Sequence, residues 1–313
     1  MSSAVILIAG PTASGKSAVA LRLAERLNGV VINADSMQVY RDLRVLSARP
    51  SLADEARTPH RLYGFLPAED PCSVGRWTVW AREAIDAEVA EGRIPIVVGG
   101  TGLYLSALTE GLAEMPDIPE SIRSDIRQRL SERGAEGLHG ELAQRDPAMA
   151  AQLRPSDPQR IARALEVLEA SGRSLRDWQA EPRTGALTRP WCGVVLTPPR
   201  DLLYRRCDAR LEAMLAEGAL DEVGALMEQR LDPALPIMRA LGVPHLMRHL
   251  RGECGRQDAL AAAQVETRRY AKRQLTWFRH KMVAWKTVEA KDSECFFDKI
   301  FPFVSEFLLT RSG

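Results

Sequence analysis

Gly10-Pro11-Thr12-Ala13-Ser14-Gly15-Lys16-Ser17 is the stretch that decides how this chain folds. Ahead of it, Ala4-Val5-Ile6-Leu7-Ile8-Ala9 is an unbroken apolar run with the length of a buried strand. Behind it, Ala18 to Leu27 carries apolar residues at helical spacing. A strand, a glycine-rich turn and a helix in that order make a P-loop. Backbone N–H groups at the helix start wrap a phosphate, and the helix dipole favours its charge. Lys16 adds a point cation, and the Ser17 hydroxyl is placed to ligate Mg²⁺. The plainer alternative is an ordinary glycine-rich turn, against which pattern and context agree. Most P-loops hold ATP or GTP, so nucleotide binding is the first expectation, but the loop alone does not say which phosphate it holds.

Three more apolar runs lie further along the chain. Val30-Val31-Ile32-Asn33 ends at Ala34-Asp35-Ser36, Ile94 to Val98 ends at Gly99-Gly100-Thr101-Gly102, and Trp191 to Leu196 ends at Thr197-Pro198-Pro199. Helical patterns lie between them. Near-continuous apolar strands alternating with helices imply an α/β fold with a parallel sheet covered on both faces. Ligands of such sheets sit beyond the carboxyl ends of the strands. The P-loop, Asp35 and Thr101 all fall at such ends, so three segments point at one crevice.

From Leu112 to Arg189 the texture changes: strand-like runs vanish and charged amphipathic helices dominate, at Glu120 to Arg133, Leu138 to Gln144 and Gln159 to Ser171. This reads as a helical insertion between two core strands. It divides the chain into a first core part (1–111), the insertion (112–189) and a completing part (190–313), with long helices expected from Asp201 to Gln229 and Gln257 to Lys281. The aromatic-rich stretch Phe296 to Leu309 reads as a terminal helix docking on the core, with a membrane or partner contact as the alternative.

The 313 residues suffice for a sizeable core, and 45% hydrophobic with 27% charged residues is ordinary for a soluble globular protein. A net charge of +1 means that any nucleic-acid surface must come from local clustering. The five cysteines form no Cys-x-x-Cys pair, which suggests neither a zinc site nor a disulfide framework. No signal peptide or bilayer-spanning stretch is legible, so the expected setting is the cytoplasm, without a membrane partner.

The residues at the strand ends narrow the chemistry. The Ile94–Val98 strand ends without the carboxylate that ATPases and GTPases use, and no Asn-Lys-x-Asp guanine-reading motif occurs. The acid at a strand end is Asp35, which either holds Mg²⁺ or accepts a proton from a substrate. Cations cluster elsewhere. Arg160 and Arg163 lie one helical turn apart. On the run from Thr267 to Lys281, Arg269, Lys272, Arg273 and Thr276 share a face, with Tyr270, Trp277 and Phe278 beside it. Cations interleaved with aromatics suit looped or single-stranded nucleic acid. A solvated helix face with its aromatics in the core explains the same pattern.

Taken together, these segments resemble bacterial tRNA dimethylallyltransferases, also called tRNA isopentenyltransferases. The matching pieces are Gly10–Ser17, Asp35 to Arg41, Pro59 to Leu62, Pro95–Tyr104, Asp157–Glu166, Met214 to Val223, Met238–Gly242 and Ala271–Phe278. They span nearly the whole chain in the family's order. The Asp-Ser-x-Gln-Val-Tyr-Arg and Gly-Gly-Thr-Gly-Leu-Tyr blocks in tandem are the selective ones.

The resemblance implies a P-loop NTPase-like core with an inserted α-helical domain. It implies that Gly10, Pro11, Thr12, Ala13, Ser14, Gly15, Lys16 and Ser17 hold the pyrophosphate of dimethylallyl pyrophosphate. The dimethylallyl group then moves to N6 of the adenosine 3′-adjacent to the anticodon, in tRNAs reading codons that begin with U. The catalytic expectation is Asp35 as general base, Thr101 on the target nucleotide and Lys16 on the leaving group, with Mg²⁺ on Ser17. The tRNA anticodon stem-loop is expected to meet Asp35, Ser36, Met37, Gln38 and Thr101, and from the insertion Arg123, Gln159, Arg160, Ile161, Ala162 and Arg163. Further contacts are expected from Ala240, Leu241, Gly242, Val243, Pro244 and His245, and from Arg273, Gln274, Leu275, Thr276, Trp277, Phe278, Arg279 and His280. Arg206 and Arg210 either reach the diphosphate or the loop, or form surface ion pairs.

Two departures stand out. Ser47-Ala48-Arg49-Pro50 replaces the Thr-Ala-Lys-Pro of many relatives, and Gly242-Val243-Pro244 lacks the tyrosine many carry after the glycine. Rival readings are a P-loop small-molecule kinase, an adenylate isopentenyltransferase and a nucleotide-gated RNA-binding protein. The basic aromatic run and the large insertion argue against a small acceptor. Nothing demands an oligomer, and a monomer is expected.

Overall fold

The computed structural model describes residues 4–310. In chain order the core begins with β1 (Val5–Ala9), α1 (Lys16–Leu27), β2 (Gly29–Asn33), α2 (Leu52–Arg57), β3 (His60–Arg61), α3 (Val74–Ala90), β4 (Ile94–Gly99) and α4 (Gly102–Glu110). The helical stretch holds β5 (Leu112–Ala113), α5 (Glu120–Arg145), α6 (Pro147–Ala150), α7 (Pro158–Ser171), α8 (Leu175–Gln179) and β6 (Arg183–Thr184). The core resumes with β7 (Trp191–Leu196), α9 (Arg200–Ala216), α10 (Ala219–Glu228), a 3₁₀ turn at Pro236–Arg239, α11 (Val243–Leu250), α12 (Arg256–Lys281), β8 (Lys286–Val288) and α13 (Ser293–Thr310).

Six strands form one all-parallel sheet in the order β3-β2-β4-β1-β7-β8. The alternation in β1 shows why both faces must be covered. Ile6 and Ile8 pack with Val19, Ala20 and Leu23 of α1 and with Phe296, Ile300 and Val304 of α13. Val5, Leu7 and Ala9 face the other way, into a core shared with Trp77 and Ile85 of α3, Leu105 of α4 and Phe278 of α12. Each buried Val, Leu, Ile or Phe among them contributes about 1.5–3 kcal/mol. The aromatic tail is thus a docked helix that buries Phe296, Phe297, Ile300, Val304 and Leu308.

The chain divides into two compact units, one running to Thr109 and resuming at Leu187, the other Glu110–Ala186. The second unit has its own core around Ile126, Leu138, Leu142, Ile161 and Leu165. Arg129 bridges Glu141 and Glu169, and Arg145 joins Glu169 at 2.6 Å, across α5 and α7.

Several expectations need correction. Strand does occur between 112 and 189: β5 and β6 pair antiparallel, Leu112 with Thr184 and Ala113 with Arg183. Two residues each are too few to show a period. β3 and β8 were likewise illegible for their shortness. The expected helix from Asp201 to Gln229 is two, broken where Gly218 takes a left-handed φ of 104°. Gly134, at φ 67°, breaks α5 between the two segments read from the sequence.

Gly193, in the middle of β7, lies under the Trp285 ring, where a Cβ would come within 2.4 Å of a ring carbon. Gly193→Ala is expected to cost about 1–3 kcal/mol by overpacking. The check is urea unfolding, with a lower midpoint at unchanged m.

Candidate active site

β1, β4 and β2 end side by side, with Ala9 opposite Gly99 and Asn33 opposite Val98. Ala13 at φ 60° and Gly15 at φ 89° curl the Gly10–Ser17 loop so that α1 starts at Lys16. The first-turn amides of a helix have no intrahelical acceptor, so those of α1 are available to an anion. Ser14 Oγ is fully buried in this loop without a hydrogen-bond partner. A hydroxyl left unpaired in that position fits a phosphate oxygen.

Asp35 is held from behind. Asn33, wholly buried, accepts from the Asp35 amide at 2.8 Å and donates to the Asp35 and Leu62 carbonyls. The Trp77 indole donates to the Asn33 carbonyl at 2.9 Å. Asp35 Oδ1 accepts from the Met37 amide at 3.0 Å, which is an Asx turn. The turn uses one carboxylate oxygen and leaves Oδ2 for other work.

Thr101 is fused to this turn. Its amide donates to the Ala34 carbonyl at 3.2 Å, and its Oγ1 accepts from the Ser36 amide at 3.0 Å. Gly99 makes the approach possible, because a Cβ there would lie 2.0 Å from the Ala34 oxygen.

Thr12 to Ser17, Asp35 and Gln38 line one cavity of about 380 Å³. Ala18, Ser47, Arg206, Arg210, Asp292 and Ser293 complete its wall. A larger hollow of about 990 Å³ adjoins it, sharing Ser17, Ala18 and Arg210. Burial lowers the Lys16 pKa to about 8, with Arg210 pushing the same way and Asp35 opposing. Burial also lowers the pKa of Arg210, again against the pull of Asp35. Two crowded cations beside a set of helix amides form a site that an anion would stabilise.

Comparison with known proteins gives this geometry a context. A family model described as IPP transferase matches residues 38–281, and one described as isopentenyl transferase matches residues 3–66. The chain belongs to the IPP transferase family. It is 53% identical over 298 residues to the tRNA dimethylallyltransferase of Nitrobacter hamburgensis, covering 95% of this chain and 94% of that one. It is 55% identical over 317 residues to that of Rhodospirillum rubrum, covering 100% and 97%. Among solved structures, the tRNA isopentenylpyrophosphate transferase of Bacillus halodurans matches with a TM-score of 0.72 at 30% identity, over 99% of this chain and 98% of that one. A eukaryotic dimethylallyltransferase captured acting on tRNA matches at 0.76 and 28%, over 92% and 74%. The core is therefore the P-loop NTPase-like fold of the IPP transferases.

The other residues singled out in this IPP transferase fall into three groups by burial. Exposed are Arg123, Gln159 and Arg160 in the helical unit, and Pro244, Arg273, Thr276, Arg279 and His280 in the core unit. Ala162, Arg163, Leu241, Leu275 and Trp277 are partly covered. Buried are Ile161, Ala240, Gly242, Val243, Gln274 and Phe278. Ile161 and Phe278 belong to the two cores, so Phe278 is not the aromatic surface its position suggested. Trp277 covers Gly102, where a Cβ would come within 2.2 Å of the indole. Gln38 donates to the Ser47 and Ala48 carbonyls, both at 2.9 Å, and His245 pairs with Glu266 at 3.1 Å. Arg206 donates to the Lys291 carbonyl at 2.7 Å. Neither it nor Arg210 forms an ion pair among the described residues, which sets aside the surface-pair alternative. Sequence reasoning missed Asn33, whose one signal was a polar residue closing an apolar run. It also missed Asp292 and Ser293, which carry no signal at all.

Lys16 supplies a pH prediction. A diphosphate bound beside it raises its proton affinity, so binding takes up protons once the free enzyme has lost them. Pyrophosphate affinity is expected to hold below pH 8 and to fall above it, by up to about tenfold per unit. Titration calorimetry in two buffers of different ionisation enthalpy reads both effects. Affinity that is flat from about pH 7 to 10 would contradict the assignment of Lys16 to this anion.

Proposed function

We propose that this IPP transferase moves the dimethylallyl group of dimethylallyl pyrophosphate to N6 of a tRNA adenosine, the one 3′-adjacent to the anticodon in tRNAs reading codons that begin with U. The observation that carries this is a single cavity with Lys16 and Arg210 beside the α1 amides and the anchored Asp35 carboxylate on its wall. Full-length likeness to tRNA dimethylallyltransferases supports the acceptor.

The chemistry follows from charge. As the allylic C–O bond breaks, negative charge grows on the departing pyrophosphate. Lys16, Arg210 and the loop amides stabilise it most where it is greatest, in the transition state. The allylic carbon tolerates cationic character, so the weakly nucleophilic adenine amine can attack. As the C–N bond forms, N6 loses a proton, which Asp35 takes. Thr101, tied to the Asp35 turn, contacts the target nucleotide.

For Mg²⁺ the donors at hand are few. The Ser17 hydroxyl is exposed on the first turn of α1, and no cluster of three His, Cys, Asp or Glu occurs among the described residues. That fits an ion held by one or two protein oxygens, water and phosphate. Ser17 would hold it, and bound there it supplies further neutralisation of the leaving group.

The anticodon stem-loop engages the exposed basic face of α12 in the core unit, and Arg123, Gln159, Arg160 and Arg163 in the helical unit. The protein works in the cytoplasm as a monomer. Among the described residues no helix is long and apolar enough to cross a membrane.

Incubation with labelled dimethylallyl pyrophosphate and unmodified tRNA is expected to place label in the tRNA. Label in free adenine nucleotides, or ATP consumption without transfer, would favour the adenylate isopentenyltransferase or the kinase. Asp35→Asn is expected to keep tRNA binding and lose about 10²–10⁴-fold in turnover. Near-normal turnover removes Asp35 as the base. Lys16→Ala is expected to lose about 10²-fold or more in kcat/KM for the donor.

A further inference from the structure

β1 and β4 pair up to the rung Ala9–Gly99 and then part, β1 into the P-loop and β4 into the Gly100–Gly102 turn. Parallel strands that part leave amides and carbonyls facing a gap. Unpaired in a buried place, such groups are costly. Here the gap is filled from outside the sheet. The Gln274 side chain, 5% exposed, accepts from the Thr12 amide at 2.9 Å and donates to the Gly100 carbonyl at 2.8 Å. One partner is a donor and the other an acceptor, so the carboxamide fits in one orientation only. The space is fully used: a Cβ on Gly100 would lie 2.3 Å from Gln274 Nε2.

Resting on the reading of the cavity as a donor site, we infer that Gln274 is a positioning residue that fixes the spacing between the diphosphate loop and the Thr101 turn. It is therefore not one of the residues through which α12 meets RNA, although its sequence neighbour Arg273 is exposed. Both halves of its amide are engaged inside the protein, and its side chain is out of reach of a partner on the helix surface. The two neighbours thus do separate jobs. Arg273 addresses an external anion, while Gln274 holds Thr12 and Gly100 in register as a third strand would.

The test is a pair of variants read separately for donor and RNA. Gln274→Met keeps the volume and removes both bonds. It is expected to weaken pyrophosphate binding and to lower kcat by about 10- to 100-fold, with stem-loop affinity within about twofold of wild type. Arg273→Gln is expected to do the reverse, weakening the stem-loop with a shallower salt dependence and leaving pyrophosphate affinity alone. If Gln274→Met fails to fold, Gln274→Glu replaces it, since the carboxylate still accepts from Thr12 but cannot donate to Gly100. A Gln274 variant that loses stem-loop affinity while keeping pyrophosphate affinity and kcat would overturn the inference. So would a folded variant with wild-type kinetics. Should the wild type transfer no prenyl group, the functional reading fails, but the pyrophosphate titrations still decide the role of Gln274.

Discussion

The site depends on one close backbone approach. The Ala34 carbonyl occupies the space a side chain at residue 99 would need. Because Gly99 yields that space, the chain leaving β4 runs hard against the chain leaving β2, and the Thr101 amide closes on the same carbonyl. Asp35 and Thr101 are thereby members of one turn system, with Asn33 beneath it and Ser36 between. Two side chains held this way, the proposed base and the proposed nucleotide contact, keep their separation when substrates come and go. The cost of ordering them is met when the sheet folds, which is how preorganised sites gain rate.

The P-loop on the other side of β4 brings the opposite charge. Lys16 and Arg210 are both pulled toward losing their protons by burial, and Asp35 is the carboxylate that offsets both. Such a pair is poorly satisfied until an anion arrives. The cavity thus sets two cations and the helix amides at one part of its wall and a fixed carboxylate at another. A bond that breaks toward an anionic leaving group, next to an amine that must shed a proton, uses both features in one step.

Much of this was legible in the sequence, for physical reasons. A strand buried on both faces must be apolar throughout, so β1, β2, β4 and β7 announced themselves, and their carboxyl ends named the crevice. A phosphate cradle needs Gly15 with positive φ and a lysine at the helix start, so its pattern is nearly unique. What stayed hidden lacks a local signature. β3 and β8 draw their pairing from neighbours rather than from their own few residues. Phe278 looks like surface aromatic because it comes directly after Trp277 on a basic helix, yet it points into the core shared with Leu105 and Trp285. Gln274 sits within an RNA-like run, and only the parting of β1 from β4, a tertiary fact, reveals what its amide is for. Arg210 was visible as a cation of open role, because its neighbours come from segments far away along the chain.

The most direct measurement is a crystal structure with a non-hydrolysable thio analogue of dimethylallyl pyrophosphate and an anticodon stem-loop bound together. The account predicts the diphosphate on the α1 amides beside Lys16 and Arg210. It also predicts the target adenine turned out of the loop, with N6 within hydrogen-bond distance of Asp35 Oδ2 and facing the allylic carbon. A diphosphate bound elsewhere, or an adenine amine out of reach of that carboxylate, would contradict it.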